Sequence, residues 1–333
     1  MNNERISFLE KLQATRYKNS AIWVPTPGQT KGLAVWSEAQ IEHSRFLEAA
    51  ARIADAHLKF VRRKRGGCMY VTGESGCGKS SLIAWYLARN PIEERPDFDQ
   101  IPVLVVQTPS KPTIKNLAEA VLRALGAPGV HKGTENEKTN RILDLLVSHG
   151  VELIFIDEFQ HFVDHASTAT LEVADWLKAL VDATKRAVVL VGLPRSELVV
   201  RQNEQLRRRF ARRCELLPFN ADTESSWLEF RAVLRELHRR SPVPADLFYE
   251  PDLARRFMNA SEGLISYLVT IVTGAIDIAS RTNRIIDREI LAMAFEEEVW
   301  PGVPDDLNPF LASGELRPLR SNGEPFEMWS RKQ

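Results

Sequence analysis

Three features of the sequence predict a three-layer α/β core built on a parallel sheet and followed by an all-helical lid. A glycine-rich turn joins an apolar run to a helix within residues 68–90; apolar runs alternate with amphipathic helices up to residue 219; from 220 to 300 only helical patterns occur. The boundaries this sets are an N-terminal arm at 1–37, an α/β core at 38–219, a helical lid at 220–300 and a Pro/Gly-rich tail at 301–333.

Composition narrows the class without naming a partner. The 333 residues are 44% hydrophobic, enough to fill a core, and Lys+Arg and Asp+Glu number 44 each, so any surface for an anionic polymer must come from local clustering. Cys68, Cys77 and Cys214 make no disulfide framework, and with no signal peptide in view the expected setting is a reducing cytoplasm. No run approaches the roughly 20 apolar residues of a membrane span, so no membrane partner is expected.

In the arm, AIWVPTPGQTKGLAVW carries Trp23, Pro25, Pro27, Gly28 and Trp36 and reads as extended. Helical spacing returns from Glu38 to Arg65, with Ile41, Phe46, Ala50, Ile53 and Leu58 on one face, and stops at Gly66-Gly67. The apolar run from Cys68 to Thr72 then leads into GESGCGKSS. Gly73, Gly78, Lys79 and Ser80 fit G-x-x-x-x-G-K-[ST], the phosphate-binding loop, with Glu74, Ser75, Gly76 and Cys77 between them and Ser81 opening the helix. Glycines at 73, 76 and 78 are expected to take positive φ, so that backbone N–H groups surround a triphosphate. Lys79 is expected to reach the β/γ-phosphates and Ser80 to ligate Mg²⁺, at a helix N-terminus whose dipole favours the anion.

After a polar connection at 91–102, PVLVVQ reads as a buried strand and 114–125 as an amphipathic helix ended by Gly126 and Pro128. The loop GVHKGTENEK leads to a helix bearing Ile142, Leu143 and Leu146, and VELIFIDE rises from an apolar strand into Asp157 and Glu158. A strand ending in Asp after a phosphate loop is the Walker B element. Asp157 is expected to hold Mg²⁺ through its water shell, and Glu158 to orient and deprotonate an attacking water. The extra strand between the two motifs marks the additional-strand, catalytic-glutamate (ASCE) branch of P-loop ATPases, and ATP with Mg²⁺ as cofactors. His161 and His165 stand four apart, but no Cys or carboxylate completes a zinc set.

A helix at 171–185 and a fourth strand, AVVLVGLP, precede RQNEQLRRRFARRCELLPF, read as a short helical stretch. Arg201, Arg207, Arg208, Arg209, Arg212 and Arg213 crowd there. Where an ATPase site lies between subunits, an arginine from this region reaches the neighbour's γ-phosphate; Arg209 is the first candidate because Phe210 anchors the chain beside it. Helices are expected at 222–240, 251–259, 262–280 and 287–299. The tail carries isolated Phe310, Phe326 and Trp329 in a composition expected to build no core, leaving either a partner-binding hook or a disordered end.

Together these elements look like an AAA+ ATPase. More narrowly, PVLVVQTPSKPTIKNLAEAVLRALGAP, LIFIDEFQHF, AVVLVGLPRSELVVRQNEQLRRRFARR and EGLISYLVTIVTGAI resemble the TniB/TnsC family, the transposition-regulating ATPases of Tn7-like, Tn5053-like and CRISPR-associated transposons. The resemblance covers roughly residues 38–300. It implies an ATP hydrolase that assembles with itself into a ring or helical filament on double-stranded DNA, marks the target site, recruits a DDE transposase and a TniQ-type target selector, and disassembles on hydrolysis. It also implies DNA-backbone contacts at Lys111, Lys115, Lys132 and Thr134, residue types that bind phosphate without reading bases. Two positions depart from the family pattern: the fourth strand ends in Gly192-Leu193-Pro194 with no sensor-1 Asn, and Ser266-Tyr267 stand where many relatives place a sensor-2 arginine. The alternatives are an AAA+ ATPase of secretion or signalling type and a P-loop kinase acting on a small molecule. The arginine cluster followed by a helical lid argues against the kinase.

Overall fold

The structure, a computed structural model, describes residues 6–11, 41–96, 98–164 and 168–327. Two compact units divide the chain. The first comprises the described residues up to 11 with 45–75 and 79–216; the second comprises 41–44, 76–78 and 217 onward.

Within the first unit the described residues form a five-stranded, all-parallel sheet in the order β2-β3-β4-β1-β5: β1 Cys68–Gly73, β2 Val103–Gln107, β3 Leu153–Asp157, β4 Ala187–Gly192 and β5 Arg212–Leu216. Every residue of β3 and β4 is buried, which is why LIFID and AVVLVG are continuous apolar runs rather than alternating ones. The helices of this unit are α1 Ser44–Arg63, α2 Lys79–Ala88, α3 Ile114–Ala124, α4 Glu135–Ser148, α5 His161–Asp164, α6 Thr168–Thr184, α7 Glu197–Gln202 and α8 Glu204–Arg209. Their starts follow local chemistry. Thr113 caps α3 by accepting from the Asn116 N–H, and Thr134 with Glu137 forms a reciprocal capping box on α4. Leu117, Leu122, Leu146, Leu177 and Phe210 close one core against the sheet. Residues 6–11 are helical and bury Leu9; the rest of the arm, including Trp23 and Trp36, lies outside the described residues.

The arginine stretch is not one helix. α7 ends at Gln202 and α8 at Arg209, and Arg212–Leu216 forms the edge strand β5, pairing Met69 with Arg212 and Gly73 with Leu216. Alternation from Arg213 onward drives it: Cys214 and Leu216 are buried on one face while Arg213 is half-buried and Glu215 exposed on the other. Arg212 and Arg213 are therefore strand residues.

The second unit packs α9 Glu224–Arg240, α10 Pro251–Ser261, α11 Ile265–Thr282 and α12 Arg288–Glu298 around Phe230, Leu234, Phe257, Leu268, Ile276 and Phe295. Thr223 and Asp287 cap α9 and α12. The tail corrects the sequence expectation, because its few apolar residues join a core built by others: Phe310, Leu319 and Phe326 are buried. Its irregular backbone is satisfied by side chains of the bundle. Arg256 donates to the carbonyls of Pro309 and Ala312, Arg288 to that of Phe310, and Asn259 to that of Arg317. Trp329 lies outside the described residues. Among the described residues no single helix is long and apolar enough to cross a membrane.

Candidate nucleotide site

Parallel register carries the two sequence motifs to one edge of the sheet. Thr72 pairs with Gly192 and Ile156 with Leu190, so β1 and β3 run out at the same edge with β4 between them, Asp157 lying level with Val71 and β1 continuing to Gly73. Two strand spacings separate them by about 10 Å. At the β1 end, Lys79 Nζ donates to the carbonyls of Gly73 and Glu74 at 2.8 and 2.9 Å, folding the first turn of α2 back over the loop. Gly76 and Gly78 have φ of 83° and 89°, as phosphate-facing amides require, whereas Gly73 is an ordinary strand residue. The expectation of positive φ therefore holds for two of the three glycines. The apex residues 76–78 cluster with the second unit, where the Ser266 N–H donates to the Gly76 carbonyl at 3.1 Å. A Cβ at Gly76 would meet Ser266 Oγ, and the φ of 83° strains any side chain there, so the position favours glycine. Ser266, which in the sequence stood out only as a departure from the family, thus touches the loop itself. Cys77 is buried, and Ser80 and Ser81 lie in the first turn of α2.

At the β3 end, Thr108 clamps the strand terminus. Its N–H and hydroxyl both donate to the Asp157 carbonyl, at 2.9 and 2.7 Å. The Asp157 carboxylate is buried and accepts the Glu158 N–H at 2.8 Å. Burial raises its pKa above the ordinary 3.8; the Glu158 charge adds to the rise, while that N–H and the Lys79 ammonium oppose it. Glu158 has φ of 56°, a left-handed conformation that costs a non-glycine residue roughly 1–2 kcal/mol. Three bonds around it hold the turn: the Phe159 N–H donates to the Val191 carbonyl at 3.0 Å, the Gln160 amide donates to the Glu158 carboxylate, and the Gln160 oxygen accepts the Leu193 N–H at 3.1 Å. Gln160 was missed in the sequence; the signal available was an amide side chain two residues after Glu158, at the turn that follows the strand. His161 begins α5 and His165 lies outside the described residues.

These residues fit Mg²⁺ and a nucleoside triphosphate. A buried carboxylate raised by desolvation lacks countercharge that a cation supplies, and two amide-presenting glycines precede a helix N-terminus. A stability consequence follows. A carboxyl whose folded-state pKa is raised contributes stability below its unfolded value and loses that contribution as pH rises through the folded value. At neutral pH ionised Asp157 is therefore a net cost. Asp157→Asn is expected to raise the melting temperature of nucleotide-free protein at pH 7, with the gain shrinking towards pH 4, and to weaken Mg²⁺-nucleotide binding. Melting curves across that range, with and without Mg²⁺, read both effects.

The arginines are distributed among intramolecular partners. Arg209 pairs with Asp182 of α6, Arg208 with Glu204 at 2.6 Å, Arg201 with Glu197 at 2.8 Å, Arg213 also with Glu197, and Arg212 with Asp55. Phe210 is fully buried beside Arg209.

Lys111, Lys115, Lys132 and Thr134 are all exposed, but they do not meet at one point. Lys111 and Lys115 flank the start of α3 and Lys132 and Thr134 follow its end; eleven residues of helix span about 16 Å. The second loop is shaped from inside. Lys138 is buried and donates to the carbonyls of Val130 and Lys132 at 2.6 and 3.0 Å, with Glu119 at 3.3 Å and His131 in turn on Glu119 at 2.7 Å. The Thr134 hydroxyl is engaged in the α4 capping box.

A family model described as bacterial TniB protein matches residues 33–218, more than half the chain. Among solved structures the chain is similar to the Aeropyrum pernix ORC1 protein in complex with DNA, at 17% identity over 78% of this chain and 66% of that one, with a TM-score of 0.59. It is also similar to the ORC2 protein of Aeropyrum pernix in ADPNP–ADP complexes, at 15% identity, 77% and 68% coverage and a TM-score of 0.57. Cdc6p of Pyrobaculum aerophilum matches at 12% identity, 88% and 73% coverage and a TM-score of 0.57. At these identities the likeness establishes the AAA+ fold. No curated protein matches the chain.

Proposed function

Because this chain belongs to the bacterial TniB family, a family of AAA+ ATPases, we propose that it is a regulatory ATP hydrolase that assembles on duplex DNA with bound ATP, marks a transposition target, engages a DDE transposase and a TniQ-type selector, and leaves the DNA after hydrolysis. The observation that carries the hydrolytic part is the Asp157-Glu158 pair on the sheet edge shared with Lys79. Lys79, Ser80 and the Gly76 and Gly78 amides bind the triphosphate, and Ser80 and Asp157 hold the Mg²⁺, which supplies charge neutralisation at the phosphates when bound. Glu158 takes a proton from the attacking water. Arg209 exchanges Asp182 for the phosphate held by the next protomer, so hydrolysis depends on assembly.

DNA binding is assigned to Lys111, Lys115, Lys132 and Thr134. Spread along a helix length, they suit successive backbone phosphates and carry no base discrimination. The DNA-bound state of the similar Aeropyrum pernix ORC1 structure is a precedent for this fold.

The test is assembly. Protein, duplex DNA and a non-hydrolysable ATP analogue are expected to give rings or filaments by electron microscopy. Binding is expected to weaken steeply with salt, and replacing Lys111, Lys115 and Lys132 together by Ala is expected to reduce the magnitude of the log–log salt slope by about 0.9 for each phosphate no longer neutralised. A slope unchanged by the triple replacement places the DNA path elsewhere. Turnover stimulated by a metabolite and indifferent to DNA supports the kinase alternative.

A further inference from the structure

β4 ends in Gly192-Leu193, which brings no polar side chain to the sheet edge, and the polar group presented there is the Leu193 N–H. That donor is taken by the Oε1 of Gln160, while Nε2 of the same amide donates to the Glu158 carboxylate. Gln160 is 5% exposed, its carbonyl accepts the Val163 N–H at 2.8 Å, and its neighbour Phe159 is tied to the Val191 carbonyl, so the side chain is fixed from both sides. Space at the strand end is matched to it: a Cβ on Gly192 would sit 3.1 Å from Gln160 Oε1 and 2.6 Å from Ser196 Oγ. Beyond Leu193 the polar chain continues, with the Ser196 hydroxyl bonded to the Leu193 carbonyl and to the buried Tyr70 hydroxyl. The next residue, Glu197, holds Arg201 and Arg213.

We propose that Gln160 is a positioning residue for ATP hydrolysis: its amide bridges the Glu158 carboxylate to the end of β4 and aims that carboxylate at the attacking water. The inference rests on the assignment of Glu158 as hydrolytic base. The bridge does for the carboxylate what a polar side chain on the strand end cannot do here, and it replaces free rotation of a long acidic side chain by one orientation. Through Leu193 and Ser196 it also joins that orientation to α7, whose Glu197 holds Arg201 and Arg213, so displacement of α7 is felt at the carboxylate.

The experiment measures steady-state ATP hydrolysis, nucleotide affinity and melting temperature for Gln160→Met and Gln160→Glu, beside Glu158→Gln. Methionine keeps the volume and removes both amide bonds. Glutamate keeps an acceptor for the Leu193 N–H but, when ionised, offers Glu158 no donor. Both Gln160 variants are expected to lose about 10- to 100-fold in kcat, the scale on which misplacing a catalytic group is felt, with KM for ATP and melting temperature near those of the parent. Wild-type kcat in Gln160→Met overturns the proposal. Wild-type kcat in Gln160→Glu, measured at pH 8, also overturns it, because tethering the strand end would then be sufficient; that variant is nearly isosteric and serves if Gln160→Met does not fold. Undiminished turnover in Glu158→Gln instead removes the base assignment, and the two failures are read separately.

Discussion

Glu158→Gln is expected to lower ATP turnover by about 10²–10⁴-fold, the range of a general base, while leaving nucleotide affinity unchanged. Glutamine keeps the shape and an oxygen able to accept from Gln160, but it cannot take a proton. The residue lies outside the glycine loop, and the charge proposed to face Mg²⁺ belongs to Asp157, so binding should survive the change. With hydrolysis stopped, assemblies formed on DNA with ordinary ATP should persist as they do with a non-hydrolysable analogue. Phosphate release, nucleotide titration and timed electron microscopy read the three consequences. Rapid dissociation of the variant from DNA would exclude Glu158 from the hydrolytic step. The strained φ of 56° adds a second readout: Glu158→Gly should relieve left-handed strain and melt no lower than the parent while being equally inactive.

Arg209→Ala is expected to cost about 10³–10⁵-fold in assembly-dependent turnover, the worth of an arginine supplied to a transferring phosphoryl group, without loss of ATP binding. In one protomer Arg209 rests against Asp182 at the end of α8, held there by buried Phe210. A half-exposed ion pair of this kind contributes at most about 1 kcal/mol, so releasing the guanidinium to a partner's phosphate is cheap. Mixing makes the test decisive. Lys79→Ala lacks the proposed phosphate-binding lysine and Arg209→Ala the proposed finger; each is expected to be inactive alone. A mixture forms interfaces that pair the intact lysine of one protomer with the intact arginine of the other, and turnover should partly recover. If Arg209→Ala is active by itself while Arg208→Ala or Arg207→Ala is inactive alone and recovers when mixed with Lys79→Ala, the finger is that neighbouring arginine. If no pair recovers, the site is not shared between protomers.

Much of this was readable from the chain because the chemistry is local. Gly76, Gly78, Lys79 and Ser80 share the backbone path of a single turn, and LIFI is an apolar run that reads as a buried strand leading into Asp157 and Glu158. The parallel sheet and helical bundle followed from alternating patterns whose periods differ. Errors arose where long-range packing overrode local composition. RRCEL sits among helix-compatible arginines, yet an open edge beside β1 and inward-facing Cys214 and Leu216 made it a strand. The tail is too poor in apolar residues to fold by itself, but Phe310, Leu319 and Phe326 are received by helices that already had a core, with Arg256 and Arg288 satisfying the carbonyls between them.

The sequence by itself determined the glycine turn between β1 and α2, the Asp157-Glu158 pair at the end of β3 and the order of the first four strands and the helices between them, since each depends on residues within a few positions of one another. Only the tertiary structure decided that Gln160 spans from Glu158 to Leu193, that Arg209 rests on Asp182, and that Lys138 shapes the loop bearing Lys132. Those bonds join side chains to groups on other elements, or across a loop whose path is set by packing. Where such groups meet is a property of strand order and register, and no short-range spacing records it.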